Sequence, residues 1–539
     1  MIDAPNAAFD ENAAAPVRYV TIYGHIDKYA RASDMSAWTL TEIAGGTAVE
    51  NTRSRAEEVF AGHEGTTYPY AMLDGQWRLG QTWPTGEYLR LAGETDGVRG
   101  FVSETVTGAQ GVFDDLTLRA DVSGYQTSAS TDLVIGWDTQ RAECAADFAV
   151  TILTQDGESI PVAQVSGNRK AISTVRLPQL GERAISCIDI AVQRWSIAEA
   201  GVTAKVISIA LREAYYNLTA DDIIRLSVTQ DAGMQNGVLA GTAPSACATL
   251  ELNNADRRFD LTNPACHFAG MRPRDLRLLL YCGFAQQAVR IGTLQVKSWT
   301  VSQLDVTASV QAQDVVSAFG EETFSMESCA VTFPCTALEL AQEVNRQSGI
   351  GAEIFADEAV AAVVIARAPD WQSLSCREAL RQIAEACGAL VSATPDGRVR
   401  VHRLTGTQAY AVNGDNCYEV GLPSTSETAL HGVKVEWFDE AGDAHVYALG
   451  TAGYAQISAN TLIQSEAMAA DVAQAVMRTI ASAQRREIEW RGNPRVEIGD
   501  RLTMCDRYGQ ATNLRIDRQT ISYGGGLRMT SAGYAAQEE

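Results

Sequence analysis

Between Gly111 and Phe319 apolar residues recur at every second position, in short runs separated by turn residues. Only a sheet buries such a pattern on one face, and this feature constrains the chain more than any other. LTLRADV presents Leu116 and Leu118, DLVIGWD presents Leu133, Ile135 and Trp137, and DFAVTIL presents Phe148, Val150 and Ile152. Asp156-Gly157 and Ser166–Asn168 supply turns, and ISCIDIAV and AKVISIAL read as two more strands. The spacing predicts an all-β sandwich over residues 100–212, with Trp137 in its core. From 213 to 329 five further strands follow, DIIRLSVTQ, ACATLELNN, DLRLLLYCGF, VRIGTLQVKSW and LDVTASVQAQDV. A β-barrel is the expected closure there, since it removes exposed edges.

The period then changes to 3.6. Thr336–Glu339 and Ser375–Glu378 each spell a capping box, and Gly349 and Gly388 each spell a stop. Leu338, Ala341 and Val344 share a face of the first helix; Leu380, Ile383, Ala384 and Cys387 share one of the second. With a hairpin turning at Asp396-Gly397, residues 330–405 are expected to form a small α+β domain. Residues 406–539 read as a second barrel, combining strands around 430–450 with those after 486, and a helix over 465–485 bracing it. At the other end, residues 1–16 read as a loose arm. Residues 17–99 read as irregular, with VRYVTIYGHI as the best strand and Leu73, Trp77, Leu79 and Trp83 around an Asp74-Gly75 turn. No fixed-period repeat is visible in the letters. The predicted class is therefore mainly β, multidomain, with an α+β insert.

Composition narrows the function. The 539 residues include 66 acidic and 43 basic side chains, a net charge of −23. Phosphate repels such a chain, which argues against nucleic-acid binding and against coating an anionic membrane. The opening segment has neither the basic head nor the apolar core of a signal peptide, and no apolar run reaches a membrane span. The 11 cysteines form no C-x-x-C pair and many sit in apolar runs, as expected of buried residues in a reducing compartment. The six histidines share no ligand spacing, and G-x-S-x-G, H-E-x-x-H, P-loop and Rossmann patterns are absent. No catalytic residue, cofactor or metal is expected. Trp83 and Trp195, flanked by polar or turn residues, are the candidate exposed aromatic contacts, for a sugar ring or for an interface.

Several segments resemble tail hub, or tail-tip, proteins of long-tailed bacteriophages and prophage-derived particles. TLELNNADRRFDLTNP carries Asn253, Asn254, Arg258, Phe259, Asp260, Asn263 and Pro264; EWRGNPRVEIGDRLTM carries Asn493, Pro494, Gly499 and Asp500. The paired strands after Val289 and the segment WQSLSCREALRQIAEACGALVSATPDGRVRV resemble the same family. LDGQW, the Phe101–Ser103 stretch and DFAVTIL…VSGN resemble a galactose-binding-like jelly roll attached to some members. The resemblance implies a homotrimeric, non-enzymatic hub in a virion tail, assembled in the host cytoplasm. Its implied neighbours are a distal tail or tube protein, a tape-measure protein and tip or fibre proteins, and DNA passes through without specific binding. The rivals are an adhesin that binds a cell-surface glycan through the jelly roll, and a wall hydrolase, for which the catalytic signatures are missing.

Overall fold

Alternation decides the strands and turn chemistry decides where they stop. In a computed structural model the predicted strands between Thr117 and Gln313 fall where the period-2 runs lie, bounded by turns such as that at Gly157, whose φ is +87°. The structure describes residues 2–3, 9–15, 18–28, 40–49 and 101–535, less short breaks at 129, 139–142, 182, 207, 235–237, 265, 286, 303–305, 372, 405–408, 413–416, 421–423, 426–429, 452, 479, 481–483 and 506–510. The expectations placed on Leu73, Trp77, Leu79 and Trp83 lie outside the described residues. The chain divides into two compact units, His25–Asn217 and a larger one of Met1–Gly24 with Leu218–Glu539.

The smaller unit is built from β-sheets around one core. Its six-stranded sheet contains Thr117–Gln126, Ala184–Trp195 and Ala145–Thr154 as neighbours. A three-stranded sheet holds Thr131–Gly136 between Ser208–Glu213 and Ile172–Arg176. Leu118, Phe148, Ile152 and Ile190 from the first share a core with Leu133, Ile135, Val175 and Leu211 from the second. AKVISIAL, expected as one strand, is two: Thr203–Val206 pairs with Phe101–Val106, and Ser208–Glu213 pairs in the three-stranded sheet. Trp137 is fully buried as expected, its indole N–H donating to Ser173 Oγ at 2.9 Å.

The larger unit contains a duplication that the letters conceal. Its strands are β1 (Val20–Lys28, which enters this unit through Val20–Gly24), β2 (Ile223–Asp231), β3 (Ser245–Asn253), β4 (Leu276–Phe284), β5 (Gln287–Ser302) and β6 (Thr307–Gln313). After an α+β segment come β7 (Ala409–Val412), β8 (Cys417–Val420), β9 (Ser424–Thr425), β10 (Gln484–Trp490), β11 (Arg501–Cys505), β12 (Ala511–Tyr523) and β13 (Leu527–Ala535). The first set is ordered β1-β4-β5-β6-β3-β2 and the second β7-β11-β12-β13-β10-β8. These are the same order, and two ladder shifts recur at equivalent places, although β4 against β5 carries a further shift between Leu280 and Tyr281 that β11 against β12 lacks.

In β5 against β6 the ladder shifts between Val296 and Ser298; in β12 against β13 it shifts between Ile516 and Arg518. In β2 against β3 it shifts between Ile223 and Arg225; in β8 against β10, between Cys417 and Glu419. A bulge re-aims its strand at one fixed residue. Its recurrence therefore aligns the two sets position by position: Leu250 with Ile488, Leu252 with Trp490, Leu278 with Leu502 and Val296 with Ile516. All eight are buried. Burying each aliphatic side chain is worth about 1.5–3 kcal/mol, so the pattern of burial, not identity of residues, maintains the repeat.

Two closed barrels were the expectation. Instead β2 pairs antiparallel with β12, Leu226 opposite Tyr523 through Asp231 opposite Arg518, and both sets belong to one 14-stranded sheet, from whose main path β11 and β7 branch at β12. No ladder among the described residues joins the ends of that path.

The α+β segment forms as the 3.6 period predicts. In α2 (Ala337–Ser348) Thr336 and Glu339 complete a reciprocal capping box, with Gly349 at φ +68° as its stop. In α3 (Cys376–Ala386) Ser375 accepts from Glu378 N–H, but the Glu378 carboxylate turns to Arg381 and Gln382, so only half of the expected box is made. The hairpin Leu390–Ala393/Val399–His402 turns at Gly397. The long helix is shorter than expected: α4 spans Glu466–Met477, and the sequence up to Arg485 instead reaches β10. Its buried residues Ala469, Val472, Ala473 and Val476 share a core with Leu380 and Ile383 of α3 and with Val433 and Val435. The strands at 432–457 form their own three-stranded sheet. They and α4 therefore belong to the α+β core rather than to the second barrel, because the apolar face of α4 needs that sheet to cover it.

Candidate functional site

Both sequence motifs fall in the same connection of the repeat, the corner between β3 and β4 and the corner between β10 and β11. In the first corner β3 ends at Asn253, whose Oδ1 accepts Ala255 N–H. Asn254 is fully buried; its backbone N–H donates to Val306 C=O and its Oδ1 accepts Phe259 N–H, both at 2.8 Å. Arg258 lies 2.7 Å from the Asp222 carboxylate, with its guanidinium 5.2 Å from the Phe259 ring centre. Buried Phe259 accepts the Trp299 indole N–H at 2.9 Å through its carbonyl. Asp260 caps Thr262, whose hydroxyl and amide both donate to it, and those bonds hold its carboxyl below the usual range. Asn263 donates to Arg257 C=O, and Pro264 is exposed at the rim. This corner closes on residues of its own repeat, Asp222, Trp299 and Val306 among them.

The second corner closes differently. Asn493, fully buried, accepts Arg495 N–H and donates from Nδ2 to Asp10 Oδ1 at 2.7 Å. Arg495 pairs with Asp10, and its Nε donates to Ile2 C=O at 2.7 Å while Ile2 N–H donates back to Arg495 C=O. Arg18 donates to Gly492 C=O at 3.0 Å and to Leu527 C=O at 2.9 Å, with its guanidinium 5.1 Å from the Phe284 ring centre. The described part of the supposed loose arm is thus α1 (Phe9–Ala14), with Phe9 buried 5.7 Å from Phe284 of β4. Small polar residues hid the one aromatic that anchors it. Pro494 is buried, and Gly499 adopts φ +90° where a Cβ would meet Leu404 Cδ2 at 2.7 Å. Gly499 N–H donates to Ile516 C=O, Ile516 N–H donates to Asp500 C=O, and Asp500 Oδ2 accepts Glu497 N–H. Burial pushes the carboxyls of Glu497 and Asp500 upward.

Between the repeats, the β2–β12 ladder is reinforced by side chains. Thr229 and Thr520 hydroxyls meet at 3.1 Å, Gln519 Nε2 donates to Gln230 Oε1 at 2.6 Å, and Arg518 faces Asp231 at 3.7 Å. Sequence reasoning missed this junction entirely. The signal that could have found it is the spacing of the two Asn-containing corners from the strands before and after them.

Trp195, expected to be exposed, is 1% exposed. It ends the Ala184–Trp195 strand with its ring 5.9 Å from Trp137, and its indole donates to Glu143 at 3.0 Å. The neighbouring polar residues occupy the other face of the strand, while a carboxylate inside satisfies the indole. Among the described residues no group of His, Cys, Asp and Glu could hold a metal ion, and no helix is long and apolar enough to cross a membrane. Burial lowers His402 to about 4. Burial likewise raises the thiols of Cys282 and Cys387 to about 12, whereas Cys247 is exposed.

No protein-family model and no curated protein sequence matches the chain. Solved structures do. A 43 kDa tail protein of prophage MuSo2 from Shewanella oneidensis is 15% identical, with a TM-score of 0.38 over 60% of this chain and 95% of that one. A tail protein from Neisseria meningitidis MC58 is 12% identical, with a TM-score of 0.41 over 58% and 92%. Prophage tail protein gp18 from Listeria monocytogenes EGD-e is 8% identical, with a TM-score of 0.40 over 59% and 91%. Each score lies below 0.5, so the functional reading rests on the chain's own residues.

Proposed function

We propose that the protein is a structural, non-enzymatic hub of a phage-like tail, acting as a homotrimer that closes the tail tube and seats tip or fibre proteins. One observation carries the reading: the chain holds two copies of one sheet, with the same strand order and two shared bulges, joined edge to edge. Three such chains present six equivalent sheets around a threefold axis, which is what an adaptor between a sixfold tube and a threefold tip requires. The hub-like motifs support it, since both sit at the corresponding corner of the two copies. Its partners on this reading are a distal tail or tube protein, a tape-measure protein and tip or fibre proteins. The net charge of −23 suits a conduit, because an acidic wall repels the phosphates of DNA passing through it. The glycan-binding alternative has lost Trp195, one of its two candidate contacts, to the core.

The test is the mass of the purified full chain together with its place in the particle. The expected result is a species of three times the 57.9 kDa chain mass and a threefold density at the tail tip. A monomer that is absent from purified tails would overturn the proposal.

A further inference from the structure

The smaller unit buries a lysine. Lys205 is 1% exposed, and a cation enters a core only with a partner. It faces two carboxylates. Its Nζ lies 3.5 Å from Asp138 Oδ2 and 3.8 Å from Glu143 Oε2, and both acids are themselves buried. The strand pairing makes the meeting. Gly136 pairs with Ser208 at the end of the ladder between Thr131–Gly136 and Ser208–Glu213, and Asp138 and Lys205 stand just beyond that end on the two strands. The chain then turns back, with Glu143 N–H donating to Asp138 C=O at 3.0 Å. The Trp195 indole N–H donates to Glu143 Oε2 at 3.0 Å, and Trp195 shares its apolar core with Trp137, Cys144, Ala204 and Val206. Holding charges in such a place costs more than filling it with apolar side chains of the same volume. An ammonium and a carboxylate differ from an amide by one water, and a dry core favours the amide side of that balance.

We infer that Lys205 and Asp138 condense to an isopeptide bond, with Glu143 carrying the proton between nitrogen and leaving oxygen. One proton passes from the Lys205 ammonium to the Asp138 carboxylate. The freed Nζ lone pair attacks Cγ and forms the C–N bond. Glu143 takes a proton from the nitrogen and delivers it to the departing hydroxyl, the C–O bond breaks, and water leaves. Glu143 ends as it began, and no oxidant, metal or second reactant enters. The 3.5 Å separation falls in the range of roughly 3–3.5 Å at which fixed groups stand before reacting, so the fold replaces chemical activation with position. The bond joins the Thr203–Val206 strand to the end of Thr131–Gly136 and closes residues 138–205 into a covalent loop, which restricts the unfolded chain. It does not rest on the hub reading.

Peptide mapping of the full chain by mass spectrometry tests it. Trypsin cutting at Arg119, Arg141, Arg194 and Lys205 releases residues 120–141 and 195–205 as separate peptides. An acylated Lys205 is not cut. The expected result is a branched species joining 120–141 to 195–212, one water lighter than the two together, with fragmentation placing the branch between Lys205 and Asp138. Asp138→Ala should abolish the branch. Glu143→Gln keeps the shape of the side chain but not its basicity, and should slow the appearance of the branch by about a hundredfold or more. The measurement on the unsubstituted chain stands whether or not either variant folds. Separate 120–141 and 195–205 peptides from the folded chain would overturn the inference. A branch from Lys205 to Glu143 would overturn the roles assigned to the two acids, and undiminished branching in Glu143→Gln would overturn the part given to Glu143.

Discussion

The two repeats of the larger unit share strand order and two bulges but differ at their corners and insertions. The first corner is tied down within its own repeat, through Asn254, Phe259, the Arg258–Asp222 pair and the bonds to Val306 and Trp299. The second is tied down by a segment from the other end of the chain, through Asp10, Ile2 and Arg18. The edge of β12 beyond β11 is filled by β2. The insertions differ as well: the second copy carries the Gly432–Ile457 sheet and α4 between β9 and β10, while β2 and β3 are joined by residues 232–244. The lesson is that strand order and two recurring bulges define the repeat, and its connections carry what distinguishes the copies.

The largest effects should come from matched truncations in the shared core. Leu252 and Trp490 occupy equivalent positions and are both buried. Leu252→Ala is expected to cost about 2–5 kcal/mol and Trp490→Ala about 3–5 kcal/mol. Because β2 joins the repeats, both should lower one common unfolding transition of this unit in chemical denaturation. Two separate transitions, each sensitive to one variant, would break the comparison by making the repeats independent.

Next, Phe9→Ala should cost about 3 kcal/mol by emptying the site beside Phe284. Its signature is asymmetric. Amide exchange should quicken at Asn493–Asp500, where the N-terminal segment docks, and remain unchanged at Asn254–Asn263. Equal loosening of both corners would show that the segment supports the whole sheet rather than one copy.

Much of this was legible in the sequence. The strands of both units follow from alternation, and α2 follows from Thr336 and Glu339. Both corners follow from their Asn residues. The duplication was not legible, because equivalent positions need only equivalent burial: Leu252 answers to Trp490, and Val310 to Ser531, which accepts the Trp490 indole N–H at 3.0 Å. The role of the N-terminal segment was hidden for a related reason, as one phenylalanine in a small, polar stretch does not alter its composition. Trp195 was misjudged from flanking residues that point away from it.

The corner asparagines give a smaller effect, about 1–3 kcal/mol for each replacement by alanine, the cost of leaving a buried partner unsatisfied. The useful readout is coupling. Asn493→Ala and Asp10→Asn share a hydrogen bond and should be non-additive, while Asn254→Ala and Asp10→Asn should add. Additivity in both cycles would remove the distinction between the corners.

The smallest effect compares the bulge residues themselves. Lys297 and Asp517 occupy the same bulge with opposite charges. Lys297 is exposed and pairs with exposed Glu321 at 3.0 Å; Asp517 is buried and pairs with Arg485. The hydrogen bond from Lys297 holds the Glu321 carboxyl below its usual range, whereas burial pushes that of Asp517 above it. The two therefore have opposite pH slopes. Glu321 contributes stability above its unfolded pKa that is lost as pH falls through its lower folded value. Asp517 contributes stability below its unfolded pKa that is lost as pH rises through its higher folded value. Glu321→Gln should cost about 0–1 kcal/mol at neutral pH, since solvent screens the pair, and nothing once the carboxyl is protonated in both states. Asp517→Asn should flatten the pH dependence in the opposite sense over the acidic range. Denaturation midpoints from pH 7 down to pH 3, about the span of both titrations, would read the two slopes, and slopes of the same sign would show that burial does not separate these two positions.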